Sequence, residues 1–176
     1  ASSCHCDVSR VIVDADNPSR VLALTAGQGV AIGSPPDGLE KMPVEPIEVV
    51  DSPDMPPLRE VFGCTRRADG NWALPELSEE VASPDAALHI GPQFVTLETA
   101  ALDLAVKTAG TGLLQGVSSH VMFMARGKTG PFRAEAAAMR GAGGMIAVQT
   151  TLFDEGAEGA EGKAITVGSY QFSPSI

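Results

Sequence analysis

The sequence predicts an α+β fold, in which an antiparallel sheet packs against one long helix. Three observations support this prediction. An apolar segment that begins at Gly91-Pro92 favours a helix to about Thr108, four strand-like runs follow it, and glycine-rich turns separate those runs. Alternation of apolar and polar residues in "SHVMFMA" and "IAVQTTLF" indicates that one face of the sheet is covered.

The N-terminal segment, residues 1–32, predicts a β-hairpin. Two runs of β-forming residues, Val11–Val13 and Val21–Leu24, flank the turn sequence "DNPS". The same order of a hydrophobic run, an aspartate, a turn, a second apolar run and a glycine returns between Thr150 and Phe172. Two interpretations stay open. Any two hairpins share such a pattern, or residues 1–32 are the tail of a preceding, similar domain.

A proline-rich segment, residues 33–57, follows the hairpin. Proline fixes φ and removes backbone donors, so we expect an extended linker or a crossover along the surface. Residues 58–176 are then the main domain. A short strand is predicted over Trp72–Leu77, before the helix. The strands predicted after the helix, in hairpin succession, are Val117–Ala125, Phe132–Arg140, Met145–Phe153 and Ala164–Phe172.

Composition and charge exclude several classes of protein. The 176-residue chain is 44% hydrophobic and 19% charged, which favours a globular domain over disorder. Its net charge of −10 argues against binding to a nucleic-acid backbone. We also expect no membrane span, because no apolar run reaches the roughly 18–20 residues required. The opening "ASSCHCDVSR" lacks the apolar core of a signal peptide.

The cysteines predict neither a metal site nor a disulfide framework. Cys4 and Cys6 stand closer together than the usual zinc spacing, and no second pair follows them. Three thiols without evident partners suit a reducing compartment, so the predicted location is cytoplasmic.

The segment "SPDAALHIGPQFVTLETA" resembles the signature of the hotdog-fold acyl-CoA thioesterases of the phenylacetate-pathway (PaaI-like) and 4-hydroxybenzoyl-CoA thioesterase type. Leu88-His89 matches the Leu-His of that signature, and Gly91 matches its second glycine. Glu98 stands nine residues after His89, where the family has Asp or Glu. The resemblance covers about residues 58–172. Three positions depart from the signature. Ser83 stands where the family commonly has Asn or Gln, and Ala86 and Ile90 stand where it commonly has Gly.

The resemblance implies a hotdog fold, with the sheet wrapped around the helix, and hydrolysis of an acyl-CoA thioester. It implies that Glu98 is the general base or nucleophile and that the amides of Ile90 and Gly91, at the helix N-terminus, form the oxyanion hole. His89 would position the thioester carbonyl or the thiol, and a loop histidine satisfied by backbone hydrogen bonds is the equal alternative. The family usually pairs two hotdogs, so we expect a homodimer, or pairing with a preceding hotdog to which residues 1–32 belong. Glu98 would then lie in an acyl pocket at the subunit or domain interface. No cofactor is expected beyond the CoA of the substrate.

Basic residues after the helix are candidates for the CoA phosphates, and a solvated rim is the equal alternative. The chain has few cations, and four of them fall in one region: Arg126, Lys128, Arg133 and Arg140. On the helix, Thr96 and Thr99 either line the pocket or bond to the backbone, and Asp103 is expected to be solvated because it lies off the face of Glu98.

A different class of function stays open. The departures at Ser83 and Ile90 leave a second hypothesis, a non-catalytic acyl- or CoA-binding hotdog module within a tandem or oligomeric protein. A hotdog hydratase is disfavoured, since its Asp-x-Asn-Pro-x-His pattern is approached only by "DADNPSR" at residues 14–20, which contains no histidine.

Overall fold

A computed structural model describes residues 3–32, 52–157 and 162–175 of the chain. Most of the predicted linker lies outside these residues, and so do the side chains of Cys4 and Cys6. No helix in the described ranges is both long enough and apolar enough to cross a membrane.

The chain divides into two compact units, residues 1–50 and 51–176. The first unit contains an antiparallel hairpin of β1 (Ser3–Val13) and β2 (Val21–Ile32). The predicted hairpin is therefore present, and its strands are longer than the two apolar runs that predicted it. Asp14 closes the turn by accepting hydrogen bonds from backbone amides, at 2.9 Å from Asp16 and 3.3 Å from Asn17.

The second unit contains one antiparallel sheet and one long helix, so the predicted α+β class is confirmed. Within the described residues the sheet has six strands, in the spatial order β3-β4-β6-β7-β8-β5. The elements are α1 (Leu58–Val61), β3 (Thr65–Arg66), β4 (Trp72–Leu74), α2 (Ile90–Ala109), β5 (Leu114–Phe123), β6 (Phe132–Arg140), β7 (Ile146–Asp154) and β8 (Lys163–Pro174).

The helix α2 lies within one residue of its predicted bounds because its sequence marks both ends. His89 is the N-cap, in an extended conformation, and Pro92 stands in the first turn, where a missing amide hydrogen costs nothing. Gly110 ends the helix with a left-handed φ of 76°, which glycine adopts without strain.

One predicted connection is wrong. The strand after the helix, β5, pairs with β8 and not with β6, so the four strands are not in hairpin succession. Residues 124–131, the crossover loop, instead connect β5 to β6 past the ends of the strands that lie between them. In this loop the amide of Met124 donates to the carbonyl of Ile165 at 2.9 Å. Alternation of apolar residues shows which face of a strand is covered, but it contains no information about which strand lies beside it.

The core lies between α2 and the inner face of β6, β7 and β8. Leu97, Ala101 and Ala105 of the helix are fully buried. Small alanine side chains let the helix approach the sheet closely. The sheet side is supplied by larger residues that are also fully or almost fully buried: Phe132, Ile146, Val148, Leu152 and Ile165.

The two long hairpins, β1–β2 and β7–β8, share a bulge at the same place. In each, pairing skips one apolar residue of the second strand, and an aspartate comes directly after the bulged pair's residue on the first strand, as Asp14 after Val13 and Asp154 after Phe153. The pairs are Val13 with Val21 and then Ile12 with Ala23, and Phe153 with Ala164 and then Leu152 with Thr166. The two hairpins are therefore more alike in the register of their strands than in their sequence pattern. That residues 1–32 close a preceding domain stays a prediction.

Candidate functional site

The loop before α2 is shaped by a tight turn at Ser83. The Ser83 hydroxyl donates to the Asp85 carboxylate and also contacts the Ala87 carbonyl at 2.8 Å. The amide of Ala86 donates back to the Ser83 carbonyl at 2.9 Å. Ala86 is forced into a left-handed conformation with φ of 53°. The position where the resemblance leads one to expect glycine is therefore one that requires positive φ.

Leu88 is held from two sides, and this fixes the start of the helix. Its amide donates to the carbonyl of Gly127 at 2.8 Å. Its carbonyl accepts from the Gln93 side-chain amide at 2.7 Å, and the oxygen of that amide accepts from the Thr166 hydroxyl on β8. The backbone that presents His89 and Ile90 is thus attached to both the crossover loop and the sheet.

The helix N-terminus offers one free amide among the described residues. The Gly91 amide donates to Nδ1 of His89 at 3.2 Å, which is a side-chain N-cap. Pro92 has no amide hydrogen, and the Gln93 amide donates to the His89 carbonyl. Ile90 alone keeps a donor at the positive end of the helix dipole, and its side chain is 56% exposed.

His89 is exposed, and its ring has a defined orientation. Because Nδ1 accepts a hydrogen bond, a neutral His89 carries its proton on Nε2. That proton points away from the cap and can be donated to a substrate oxygen or sulfur. The positioning role that the resemblance implies for His89 is compatible with this geometry and stays a prediction.

Glu98 lies on the solvent side of α2, about two turns after the helix start, and is exposed in the single chain. It shares this face with Phe94, one turn before it, and with Leu102, one turn after it. Leu102 is 43% exposed, which is high for leucine. The described residues of one copy do not form the apolar pocket expected around Glu98, and its enclosure at an interface stays a prediction.

The candidate phosphate ligands do not all lie together. Arg126 forms an ion pair with Asp85 beside the loop that leads into α2. The Ser83 hydrogen bond, and after it the Arg126 charge, hold the pKa of Asp85 below its ordinary value, and the more distant Lys128 acts in the same direction. Arg126 and Lys128 therefore flank the helix N-terminus.

Arg140 lies at the other end of the helix. Its guanidinium donates to the carbonyl of Thr108, about 28 Å along α2 from His89. Arg133 is also engaged elsewhere, because it pairs with Glu155 at 2.6 Å and stacks over the ring of Phe153. One CoA molecule at the helix N-terminus cannot contact both Arg126 and Arg140 with its phosphates.

The remaining polar residues of the helix bond within the protein. The Thr96 and Thr99 hydroxyls each donate to the carbonyl four residues earlier, at 2.8 and 2.7 Å. Asp103 forms ion pairs with Lys107 at 2.6 Å and Arg66 at 3.5 Å.

Two residues that support the site were missed at the level of sequence. Asp154 is 1% exposed and accepts hydrogen bonds from the amides of Lys128, Thr129 and Gly130, at 2.7–3.2 Å. It thereby fixes the loop that holds Leu88. Gln93, the second, could have been noticed as a polar residue on the buried face of an apolar helix.

Comparison with solved structures identifies the architecture. A Bacillus halodurans protein (BH2602), solved with CoA, matches with a TM-score of 0.54 over 66% of this chain and 74% of its own, at 18% identity. The chain has the hotdog fold. A thioesterase from Haemophilus influenzae (HI1161) matches with a TM-score of 0.54, 17% identity and coverage of 66% and 80%.

A variant of a Staphylococcus aureus thioesterase (SAV0944) matches with a TM-score of 0.53, 19% identity and coverage of 68% of this chain and 98% of its own. No protein-family model matches the sequence. No curated protein matches it either. At these identities the likeness shows the hotdog fold, which the sequence signature implied.

Proposed function

We propose that the protein hydrolyses acyl-CoA thioesters, with Glu98 as the base and the amide of Ile90 as the oxyanion donor. The observation that supports this is the pairing, on one hotdog helix, of a carboxylate on an open apolar face with a single free amide at the N-terminus. The solved hotdog proteins named above include thioesterases and one bound to CoA.

The reaction follows from these two groups. A water molecule attacks the thioester carbonyl carbon and loses a proton to the Glu98 carboxylate. The carbonyl electron pair moves to oxygen, and the resulting oxyanion accepts a hydrogen bond from Ile90. When the carbonyl re-forms, the carbon–sulfur bond breaks, and CoA leaves as a thiolate that takes up the proton from Glu98. Arg126 and Lys128 flank the helix mouth and would contact the CoA phosphates there.

The spacing of the two groups supports a site shared by two copies. Eight residues separate Ile90 from Glu98, which is about 12 Å along the helix. The Ile90 amide has to lie about 3 Å from the thioester oxygen, and the Glu98 carboxylate about 3 Å from the water that attacks the same carbonyl. A second helix lying antiparallel to the first would bring its N-terminus opposite Glu98. Apolar residues of α2 and of the edge strand β5 are exposed in the single chain, as a surface for a second copy requires: Leu102, Val117, Met122 and Phe123.

The alternative is a hotdog module that binds acyl-CoA without hydrolysing it. One observation favours it, because the Gly91 amide is occupied by His89 and leaves a single oxyanion donor. A single donor lowers the rate of thioester hydrolysis without preventing binding.

Steady-state hydrolysis of a panel of acyl-CoAs, followed by free thiol, tests the proposal. We expect Glu98→Gln to fold normally, to bind acyl-CoA and to lose about 100-fold or more in rate, the scale of a positioned base. Ile90→Pro removes the amide where proline is tolerated, at the first helical position, and should cost about 100–1,000-fold. Ile90→Gly is the matched control, because it keeps the amide and should keep or improve the rate.

Circular dichroism checks the fold of each variant. The binding-module alternative is correct if the wild type binds acyl-CoA without turnover and Glu98→Gln changes nothing. If Glu98→Gln unfolds the protein, the carboxylate is structural and the assignment of its role is wrong.

A further inference from the structure

Tyr170 has a buried hydroxyl with no hydrogen-bond partner among the described residues. The side chain is 3% exposed and lies on the inner face of β8, in the core against α2. A buried hydroxyl without a partner costs free energy, and such groups are rare in folded proteins. The hydroxyl of Tyr170 therefore requires an explanation.

The phenol lies beside the helix face that carries the candidate base. Its ring contacts Phe94 edge-on, with 6.3 Å between ring centroids. Glu98 follows Phe94 by one helical turn on the same face. Burial first, and the negative charge of Glu98 second, raise the pKa of Tyr170 above its ordinary value. The hydroxyl thus keeps its proton at physiological pH and can donate a hydrogen bond to an acceptor.

Gly168 leaves the space that the phenol fills. A Cβ at this position would lie 2.7 Å from the Tyr170 ring and 3.2 Å from its hydroxyl, and also 2.7 Å from the Thr150 hydroxyl. The ring therefore lies against the backbone of β8 in a tightly packed place. A side chain confined in this way presents its hydroxyl in a defined position.

We propose that Tyr170 is a positioning residue, whose hydroxyl donates a hydrogen bond to the Glu98 carboxylate when a second copy covers this face of α2. The inference rests on the proposed function and on the shared site. Covering the face removes water from Glu98, and a carboxylate without water needs other donors. One hydrogen bond then satisfies both the carboxylate and the buried phenol, and it fixes the carboxylate for proton transfer.

Raman spectroscopy tests the contact without any need for turnover. Tyr170 is the only tyrosine in the sequence, so the tyrosine Fermi doublet, which reports whether the phenol donates a hydrogen bond, comes from this residue alone. We expect a donor signature in the assembled wild type and its loss in Glu98→Leu, which removes the acceptor. An identical doublet in the two proteins would overturn the proposal.

Kinetics test the consequence for the reaction. We expect Tyr170→Phe to keep the fold and KM and to lower kcat by about tenfold, the scale of one charge-assisted hydrogen bond. In the Glu98→Gln background the same change should have no further effect, because the phenol acts through the carboxylate. Thr150→Val, which removes the neighbouring buried hydroxyl, is the matched control and should leave kcat unchanged.

The outcomes separate the two proposals. If the wild type hydrolyses no acyl-CoA, the proposed function fails, and the Raman comparison still decides whether Tyr170 contacts Glu98. If the wild type is active and Tyr170→Phe lowers kcat equally in both backgrounds, the role of Tyr170 is structural and only the further inference fails.

Discussion

At the scale of single residues, Ala86 shows how the loop before α2 is strained. It is the only residue other than glycine with positive φ in the described part of the chain. A left-handed conformation costs an ordinary residue about 1–2 kcal/mol, because its Cβ approaches the carbonyl oxygen. The turn made by Ser83 imposes this conformation through hydrogen bonds on both sides of Ala86.

Replacement of Ala86 by glycine should therefore stabilise the protein. Glycine removes the strain and loses somewhat more backbone entropy on folding, so we expect a net gain of about 0.5–1 kcal/mol in the free energy of unfolding. Urea denaturation measures it. Ala142→Gly, at an exposed alanine without positive φ, is the control and should not stabilise. A loss of stability in Ala86→Gly would show that the turn is not strained.

Single residues also show which features of the site can be predicted from the sequence and which cannot. Ala86 stood out in the sequence only as a departure from a glycine that is common in the family, and its positive φ of 53° was not predicted from it. Asp154 gave no such signal, because its three amide donors lie 24 to 26 residues earlier in the chain. The bond between Gln93 and Thr166 spans 73 residues. Contacts of this kind depend on the tertiary fold and have no local pattern.

At the scale of elements, the crossover loop depends on one carboxylate. Asp154 ends β7 and binds three consecutive amides of residues 128–130. In the same loop, the carbonyl of Gly127 accepts a hydrogen bond from the Leu88 amide. A buried carboxylate is tolerated here because backbone donors replace its water. The position of the helix N-terminus is thereby connected to the end of β7.

Asp154→Asn should lower the free energy of unfolding by about 2–4 kcal/mol. Asparagine has one acceptor oxygen and presents its NH₂ group to amides that also donate, so at least one amide loses its partner. Asp14→Asn is the matched control at the equivalent place of the first hairpin, where the carboxylate bonds only within its own turn. Urea unfolding of the second unit should be unaffected by this control, and equal losses in both variants would contradict the role given to Asp154.

The strand bounds and the strand order differ in how far they can be predicted. Periodicity and capping residues are local, and they placed α2 and three of the four later strands within about two residues. The position of β5 beside β8 depends on the path of residues 124–131, which Asp154 and Ile165 hold from a distance. The sequence pattern indicates which face of a strand is covered, but it does not indicate which strand pairs with it.

At the scale of the whole molecule, β5 is the exposed edge of the sheet. It pairs only with β8 among the described strands, and Val117, Met122 and Phe123 are about half exposed. An apolar edge strand of ten residues is a surface that proteins normally cover. The expected homodimer would cover it and would also enclose Glu98, and this assembly stays a prediction.

Mixing two inactive variants tests the shared site. If the base and the amide come from different copies, a dimer of one Glu98→Gln copy and one Ile90→Pro copy has one site with both changes and one intact site. We expect activity to return after subunit exchange, to about a quarter of the wild type in an equal mixture. Analytical ultracentrifugation checks that dimers form. No recovery in a mixture with verified exchange would place base and amide in the same copy.

The single free amide at the start of α2 has a consequence for what happens after hydrolysis. The product carboxylate shares one negative charge between two acceptor oxygens, whereas the start of the helix has a donor for one of them, since His89 occupies the Gly91 amide and Pro92 has none. The second oxygen would face Glu98, which has the same charge. We therefore expect fast departure of the acid, weak product inhibition, and better inhibition by neutral ketone analogues of the thioester than by carboxylates.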